Sequence, residues 1–190
     1  MKNRVFVLLF LFLPATPVLC QMSFNDSVPV IKNMLKGELP PETRLKFLTK
    51  LCAFYWHINP DSSLWYGMQG KALFNDKMPL GRIGRHQFAL GMAWENKGNF
   101  DSAMWYLNKG ADISARAGDT KYQYRAVEQI GSLFRIMGRY DTAVVLMNRA
   151  LEYFKSTGNN FQIMSVLFNI GSVYLEQNRL NKALQYRAPT

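Results

Sequence analysis

The stretch Gln129-Ile-Gly-Ser-Leu-Phe134 recurs along the chain, and its recurrence decides the fold. Its counterparts are Ala89-Leu-Gly-Met-Ala-Trp94 before it and Asn169-Ile-Gly-Ser-Val-Tyr174 after it, at equal distances. In each copy an aliphatic residue precedes the glycine, and an aromatic residue stands three positions after it. A fixed period of about 40 residues is typical of a repeat architecture.

A second motif has the same period. Asp61-Ser-Ser-Leu-Trp-Tyr66 is followed, at the same step, by Asp101-Ser-Ala-Met-Trp-Tyr106, Asp141-Thr-Ala-Val-Val-Leu146 and Asn181-Lys-Ala-Leu-Gln-Tyr186. Turn-forming stretches precede the four copies, namely Asn59-Pro60, Gly98-Asn-Phe100, Gly138-Arg-Tyr140 and Asn178-Arg-Leu180. Each unit is therefore predicted to contain two helices that are joined by a tight turn and run antiparallel.

The apolar spacing inside each unit is helical, as in the step from Ile130 to Phe134. The glycines of the first motif then lie in mid-helix, where glycine costs about 0.5–1 kcal/mol relative to alanine. We expect that they permit a close approach between the two helices of a unit. Small residues of the second helix are predicted to face them, namely Ala103, Ala143 and Ala183.

This constellation resembles the tetratricopeptide repeat, whose common unit has about 34 residues, in a longer variant with a unit of about 40 residues. The resemblance covers about residues 41–186, with Leu51 in place of the glycine in the first unit and Gly110 in place of the usual alanine in the second. It implies an all-α fold, a right-handed superhelical solenoid of antiparallel helix pairs. About four repeats are expected, of which the last is incomplete.

The predicted boundaries follow from the turns. The repeat domain covers residues 41–190, in units at about 41–77, 80–118, 119–158 and 159–190, and residues 21–40 form a lead-in with a short helix capped by Ser27. Gly118 and Gly158 are predicted helix stops. Near the end, Arg187 takes the place of an apolar residue and Pro189 stops the helix early. This pattern predicts a fragment or truncated product, and a natural frayed end is the alternative.

Residues 1–20 are predicted to be a signal peptide. Met1-Lys-Asn-Arg4 is basic, residues 5–13 are uniformly apolar, and Pro14-Ala-Thr-Pro17 breaks any helix. The apolar run is shorter than the roughly 20 residues that span a bilayer. Cleavage after Cys20 would start the mature chain at Gln21. An uncleaved anchor and a lipid-modified Cys20 are the alternatives.

Composition and charge exclude several classes of protein. The chain has 190 residues, of which 48% are apolar and 19% charged, and this excludes a disordered tail. Loss of the leader, with Lys2 and Arg4, lowers the formal charge from +10 to +8. The remaining Lys and Arg are dispersed without a nucleic-acid-binding motif, so no nucleic-acid partner is predicted. The remaining thiol, Cys52, lies in an apolar run and is predicted to be buried.

No catalytic, metal or cofactor motif is found, so the sequence predicts no enzyme. His57 and His86 lack neighbouring ligands at metal-binding spacing. His57 is predicted to be solvated at a helix end, and His86 is predicted to lie on a helix surface. The segment Gly81-Arg-Ile-Gly-Arg85 lacks the third glycine of a dinucleotide-binding loop. The Trp-Tyr pairs at 65–66 and 105–106 are predicted to pack within and between repeats rather than to form a sugar-binding ladder.

The resemblance also implies a binding surface. In the tetratricopeptide family the concave face, lined by the first helix of each unit, commonly holds a peptide. The resemblance assigns this role to the equivalent positions of the present chain and to residues on nearby turns of the same helices. They are Arg85, Met92, Arg125, Glu128, Gln129, Ser132, Arg135, Phe168, Asn169 and Ser172. Asn169 resembles the family's backbone-gripping asparagine. Arg85 and Arg125 lie one repeat apart and are expected on one stripe that binds acidic groups, with solvated surface charge as the alternative.

Two functions are compatible with these features. The first is a non-catalytic peptide- or protein-binding scaffold, the truncated sensing or interaction region of a signalling protein. It resembles the exported N-terminal repeat region of bacterial sensor histidine kinases and transcription regulators. The alternative is a complete periplasmic adaptor for envelope protein assembly. Both place the chain on the periplasmic or extracytoplasmic side of a bacterial envelope, with membrane attachment only through an uncleaved leader or a missing C-terminal segment.

Overall fold

The computed structural model describes residues 24–186. Over this range the chain is all-helical, without strands, and it forms nine helices that pack in chain order. They are α1 (Phe24–Met34), α2 (Pro41–Tyr55), α3 (Pro60–Lys71), α4 (Leu80–Asn96), α5 (Phe100–Arg116), α6 (Thr120–Ile136), α7 (Tyr140–Ser156), α8 (Asn160–Glu176) and α9 (Leu180–Gln185). The predicted solenoid of helix pairs is confirmed. The predicted leader at 1–20 and the residues Arg187 and Pro189 lie outside the described part.

The helices recur with half the period of the sequence motifs. The helices from α4 to α8 are equal in length, and their first residues are evenly spaced along the chain. Left-handed residues with φ between +57° and +81° follow these helices, namely Gly98, Gly118, Gly138, Gly158 and Asn178. Each is followed by a backbone N–H that donates back to the last turn, as Asn99 does to the Trp94 carbonyl at 3.0 Å. The predicted stops at Gly118 and Gly158 are confirmed.

The residue that follows a left-handed position often starts the next helix. Asn99 accepts a hydrogen bond at Oδ1 from the Ser102 backbone N–H at 2.9 Å. Asp119 and Asn159 cap α6 and α8 in the same way, and Asn59 caps α3 without a left-handed residue before it. An Asn or Asp side chain at this position satisfies a backbone donor that has no partner within the helix. A short turn therefore both ends one helix and begins the next.

The mid-helix glycines of the second and third units lie at tight contacts, as predicted. A Cβ at Gly131 would lie 3.0 Å from Met147 Cγ and 3.2 Å from the Ala143 carbonyl oxygen. A Cβ at Gly91 would lie 2.6 Å from Leu107 Cγ. The position of Gly171 is looser, because its nearest neighbour, the Ala183 carbonyl oxygen, would be 3.7 Å away.

The core lies between the helices of each unit and between neighbouring units. Ala143, Met147 and Ile170 are fully buried in one cluster, and Ala103 and Leu107 are fully buried in another. Burial of this kind stabilises by about 25 cal/mol per Å² of apolar surface. Each repeat therefore depends on its neighbours for its core.

The first helix covers the N-terminal end of the solenoid. Val28 and Ile31 of α1 are buried against Leu51. The predicted cap at Ser27 is wrong, because α1 begins at Phe24 and Ser27 lies inside it. Lead-in residues thus belong to the folded domain.

The prediction that Cys52 is buried is confirmed, since its side chain is fully enclosed. Burial raises the pKa of this thiol to about 12, and a hydrogen bond with Ser63 opposes the shift. Sγ of Cys52 lies 3.4 Å from Oγ of Ser63. The thiol therefore stays protonated and inert at neutral pH.

Candidate partner-binding surface

The first helices of the repeats, α2, α4, α6 and α8, form one layer. α6 contacts both α4 and α8 directly, and the second helices α5 and α7 pack beside them. All ten residues of the predicted surface lie on α4, α6 and α8. The structure therefore brings them onto a single layer, although their side chains have different environments.

Arg85 and Arg125 lie on one stripe, as their spacing predicts. The guanidinium carbon of Arg85 is 4.9 Å from the Tyr122 ring centre, and that of Arg125 is 5.0 Å from it. Arg125 also lies 4.8 Å from the Phe88 ring. Each contact of this kind contributes about 0.5–2 kcal/mol. Two cations from neighbouring repeats therefore share one aromatic ring.

The two arginines differ in how their charge is compensated. Arg85 Nε donates to Asp119 Oδ2 at 2.6 Å. Arg125 forms no salt bridge with any residue in the described range, and the acidic group on which its charge acts is the buried Glu128. Within the described residues, Arg125 is therefore the cation of this stripe whose guanidinium group has no carboxylate in salt-bridge contact.

Glu128 and Asn169 connect two repeats. Glu128 is buried, and its Oε1 accepts hydrogen bonds from Ser165 Oγ at 2.8 Å and from Asn169 Nδ2 at 3.2 Å. Burial raises the pKa of Glu128, while these bonds and the Arg125 charge oppose the shift. The amide nitrogen of Asn169 is thus held by Glu128. Its Oδ1 takes no part in this bond.

The other predicted residues divide into packed and accessible groups. Met92 and Ser132 are buried, at 7% and 6% exposure, and contribute to helix packing. Gln129 is half-buried, Ser172 donates to the Phe168 carbonyl at 2.9 Å, and Phe168 is 73% exposed. The predicted residues that are exposed or partly exposed are Arg85, Arg125, Gln129, Arg135, Phe168, Asn169 and Ser172.

A second charged stripe runs along the other end of the same helices. Arg135 of α6 pairs with Glu176 of α8, and its charge also acts on Glu95 of α4. Burial raises the pKa of Glu95 to about 7, against the opposing effect of Arg135. Glu95 Oε2 is buried and has no hydrogen-bond partner in the part of the chain that is described. Sequence reasoning missed Glu95, although it is the counterpart of Arg135 in the preceding repeat.

The prediction that His86 lies on a helix surface is wrong. Its ring is fully buried, and Nε2 donates to the Gly67 carbonyl at 2.7 Å while the Thr49 hydroxyl lies 2.7 Å from Nδ1. The pattern missed it because Gly70 of α3, which has no side chain, leaves room for the imidazole. Burial lowers the pKa of His86 to about 4, so the ring is neutral at pH 7. His86 thus joins α2, α3 and α4.

The packing prediction for the tryptophans is also wrong. Trp65 and Trp105 are 60% and 50% exposed, whereas Tyr106 is buried. Consecutive helical residues point about 100° apart, so only one member of each Trp-Tyr pair faces the core. Lys71 Nζ lies 5.6 Å from the Trp105 ring. His57, by contrast, is exposed as predicted, and its Nδ1 lies 2.7 Å from Asn96 Oδ1.

Two features are absent from the described residues. No helix in the range 24–186 is long and apolar enough to cross a membrane. Across the same range, no three His, Cys, Asp or Glu side chains lie together in a way that could hold a metal ion.

Comparison with protein families matches residues 122–186 to the tetratricopeptide repeat. No curated protein matches the sequence. Among solved structures, the apo form of RapI is 19% identical, with a TM-score of 0.70 over 85% of this chain and 60% of that one. A Rap protein complexed with competence and sporulation factor is 17% identical, with a TM-score of 0.77 over 86% of this chain and 47% of that one. MamA is 18% identical, with a TM-score of 0.56 over 86% of this chain and 84% of that one.

The chain spans less than two thirds of the length of three of the similar structures. It covers 60% of RapI, 47% of the Rap protein and 42% of aspartyl phosphate phosphatase F from Bacillus subtilis. At these identities the likeness concerns the fold. It agrees with the helical solenoid that the packing of α2 to α9 forms.

Proposed function

We propose that this chain, a solenoid of repeats like those of the tetratricopeptide family, is a non-catalytic scaffold that binds a peptide or protein through the face formed by α4, α6 and α8. The observation that carries the proposal is the stripe in which Arg85 and Arg125 share the Tyr122 ring. The repeat fold supports a protein-interaction role. One similar structure, a Rap protein complexed with competence and sporulation factor, also has this fold with a bound partner.

The chemistry of this face favours an acidic partner in an extended conformation. Arg125 supplies a guanidinium group whose two N–H edges match a carboxylate. Asn169 Oδ1 accepts from a backbone N–H, and the exposed Phe168 ring supplies apolar contact. These groups come from α6 and α8, so a bound segment crosses at least two repeats.

Replacing Arg125 and Asn169 together with alanine is expected to weaken peptide binding at least about tenfold, since about 1.4 kcal/mol corresponds to a factor of ten. The probe is the peptide that the purified chain enriches most strongly from a random display library, labelled for fluorescence anisotropy. Acidic residues are expected among the enriched positions.

The matched control is Arg149→Ala, which removes an exposed arginine from the second helix α7. It is expected to leave the dissociation constant unchanged. Thermal unfolding followed by circular dichroism verifies that both variants remain folded. An unchanged affinity in a folded double variant would show that this face is not the binding surface.

We further propose that the chain is exported and acts as the extracytoplasmic sensing or interaction region of a signalling protein. The basic and apolar pattern of residues 1–20 supports export. A free-standing periplasmic adaptor for envelope protein assembly is the second candidate. A membrane-spanning segment and an output domain encoded beyond Thr190 would favour the sensing region, and their absence from the coding DNA would favour the adaptor.

Export predicts a specific processed product. When the full chain is expressed in a bacterium and recovered from the periplasm, its N-terminal residue is expected to be Gln21. Intact mass and N-terminal sequencing check this expectation. A product that retains Met1 and remains in the cytoplasm would contradict export, and one that starts at a modified Cys20 would identify a lipoprotein.

A further inference from the structure

A pocket of about 270 Å³ lies between α1, α2 and α3, and none of its residues belongs to the candidate binding face. It is smaller than most sites for drug-sized ligands, which have volumes of roughly 300–1,000 Å³, so it fits a small chemical group. We call it the basic pocket. Its polar and aromatic walls come from three helices and the turn after α1, and they are Lys32, Lys36, Arg44, Trp65, Tyr66 and Gln69.

Three cationic side chains and no carboxylate line the basic pocket. Lys32, Lys36 and Arg44 form no salt bridge with any side chain that the structure describes. Like charges that share a small site repel one another, and an anion between them removes the repulsion. The pocket therefore has the charge of an anion-binding site.

The neighbouring sequence does not supply the missing negative charge. Residues 1–23 contain no Asp or Glu. Glu42, two residues before Arg44, pairs instead with Arg82 at 2.9 Å. Glu38, two residues after Lys36, is exposed and forms no salt bridge within the described range. The counter-charge of the basic pocket is thus expected to come from a ligand.

The guanidinium group of Arg44 is held in place by the end of α1. Its Nη1 donates to the Leu35 carbonyl at 3.1 Å, and its Nη2 donates to the Gly37 carbonyl at 2.6 Å. Neutral carbonyl groups fix the position of a guanidinium group without cancelling its charge, and they leave it further N–H donors. Arg44 is therefore a cation whose position is set before any ligand binds, which lowers the entropic cost of binding.

Aromatic rings adjoin these cations. Lys32 Nζ lies 5.2 Å from the centre of the Tyr55 ring, and Tyr66 stacks on Tyr55 at 5.7 Å. The Trp65 ring meets Tyr66 edge-on at 4.7 Å, and Trp65 is 60% exposed. A flat or apolar group that is attached to a bound anion can therefore lie against Trp65.

We propose that the basic pocket binds the phosphate group of a phosphate monoester, with the flat or apolar part of the ligand against Trp65. Such a group carries a charge of about −1.5 to −2 at pH 7 and three strong acceptor oxygens, which suits three cations better than a singly charged carboxylate does. Arginine and lysine both bind phosphate through charge-assisted hydrogen bonds. The phosphate belongs either to a free small molecule or to a lipid headgroup, and these two sources offer the same chemistry to the pocket.

Phenyl phosphate joins a phosphate monoester to a ring, so it is the probe for a free ligand in isothermal titration calorimetry. The wild-type chain is expected to bind it saturably and at least about fivefold more tightly than inorganic phosphate, because the ring contacts Trp65. Trp65→Ala is expected to abolish this preference. Replacing Lys32 and Lys36 together with glutamine is expected to weaken the binding of phenyl phosphate at least about tenfold. Both lysines are exposed, so the fold should be retained, and circular dichroism checks it.

The matched control replaces Lys46 and Lys50 of α2 together with glutamine. It removes the same charge from exposed positions outside the basic pocket, and it is expected to leave the affinity unchanged. Co-sedimentation with phosphatidylcholine vesicles, with and without phosphatidic acid, is the probe for a lipid headgroup. Binding that needs phosphatidic acid and is lost in the Lys32 and Lys36 variant would assign the pocket to a lipid, and binding of phenyl phosphate alone would assign it to a free ligand.

Two results would overturn the proposal. One is a wild-type chain that binds neither phenyl phosphate nor vesicles with phosphatidic acid. The other is an equal loss of binding in the two double lysine variants, which would show that only the overall charge matters. The variant with alanine at Arg125 and Asn169 is expected to bind phenyl phosphate as tightly as wild type, so the outcome does not depend on whether a peptide binds the face of α4, α6 and α8.

Discussion

Replacing Gly70 with alanine is expected to destabilise the chain by about 2–3 kcal/mol, because it overpacks a rigid site. A Cβ at this position would lie 2.3 Å from His86 Cε1 and 2.6 Å from Nε2. The ring cannot move aside without losing its hydrogen bonds to Gly67 and Thr49. Urea unfolding followed by circular dichroism measures the change in the free energy of unfolding.

Gly81→Ala is the matched control. A Cβ at Gly81, near the start of α4, would meet nothing closer than Ala117 at 4.0 Å. This variant is expected to be as stable as wild type or more stable by about 0.5–1 kcal/mol, because alanine favours the helix. In a His86→Ala background, the Gly70→Ala cost is expected to fall sharply, since the clash is removed. Equal effects of the two glycine substitutions would contradict the tight packing around His86.

The buried histidine is expected to make stability depend on pH. Burial lowers the pKa of His86 from 6.5 to about 4, so between these values the unfolded chain binds a proton that the folded chain does not. Stability therefore falls as the pH falls through this window, by up to about 3 kcal/mol. Below pH 4 both states are protonated and the loss is complete.

Comparison with a His86→Gln variant isolates this effect. The buried carboxyls of Glu95 and Glu128 have raised pKa values, so acidification relieves their cost and acts in the opposite direction. The stability advantage of wild type over His86→Gln is expected to shrink by about 3 kcal/mol between pH 7.5 and pH 4. A constant difference for His86 would show that its ring is accessible to protons in the folded chain.

The repeat could be predicted from sequence because it depends on local rules. Gly118 and Gly158 end helices through a backbone conformation that glycine favours, and this preference acts within a few residues. Gly131 was predicted to allow a close helix contact, and the structure places the Ala143 carbonyl beside it. Periodicity thus predicted these helix ends and the contact at Gly131.

Environments that depend on distant residues were not predictable in the same way. His86 is enclosed because Gly70, on a different helix, leaves space for its ring. Trp105 is exposed because Tyr106 takes the inward position. Neither fact follows from the composition of the helix that carries the residue.

The candidate binding face likewise contains features that could be predicted from the sequence and features that could not. The alignment of Arg85 and Arg125 follows from their equivalent positions in successive repeats, and the structure places both beside one ring. The hydrogen bond from Asn169 to Glu128 was not predicted, because it joins two repeats. Register therefore locates a side chain on a helix face, and the neighbouring repeat determines whether it remains available.

The even spacing of the helices has a consequence for biogenesis. The contacts of each helix are with the next one or two helices along the chain, so a newly emerging helix finds its earlier neighbours already made. Folding of such a chain has low contact order and is fast. A chain that emerges from a ribosome or a membrane channel with its N-terminus first can therefore add one hairpin at a time. It need not wait for its last residue before its first helices acquire structure.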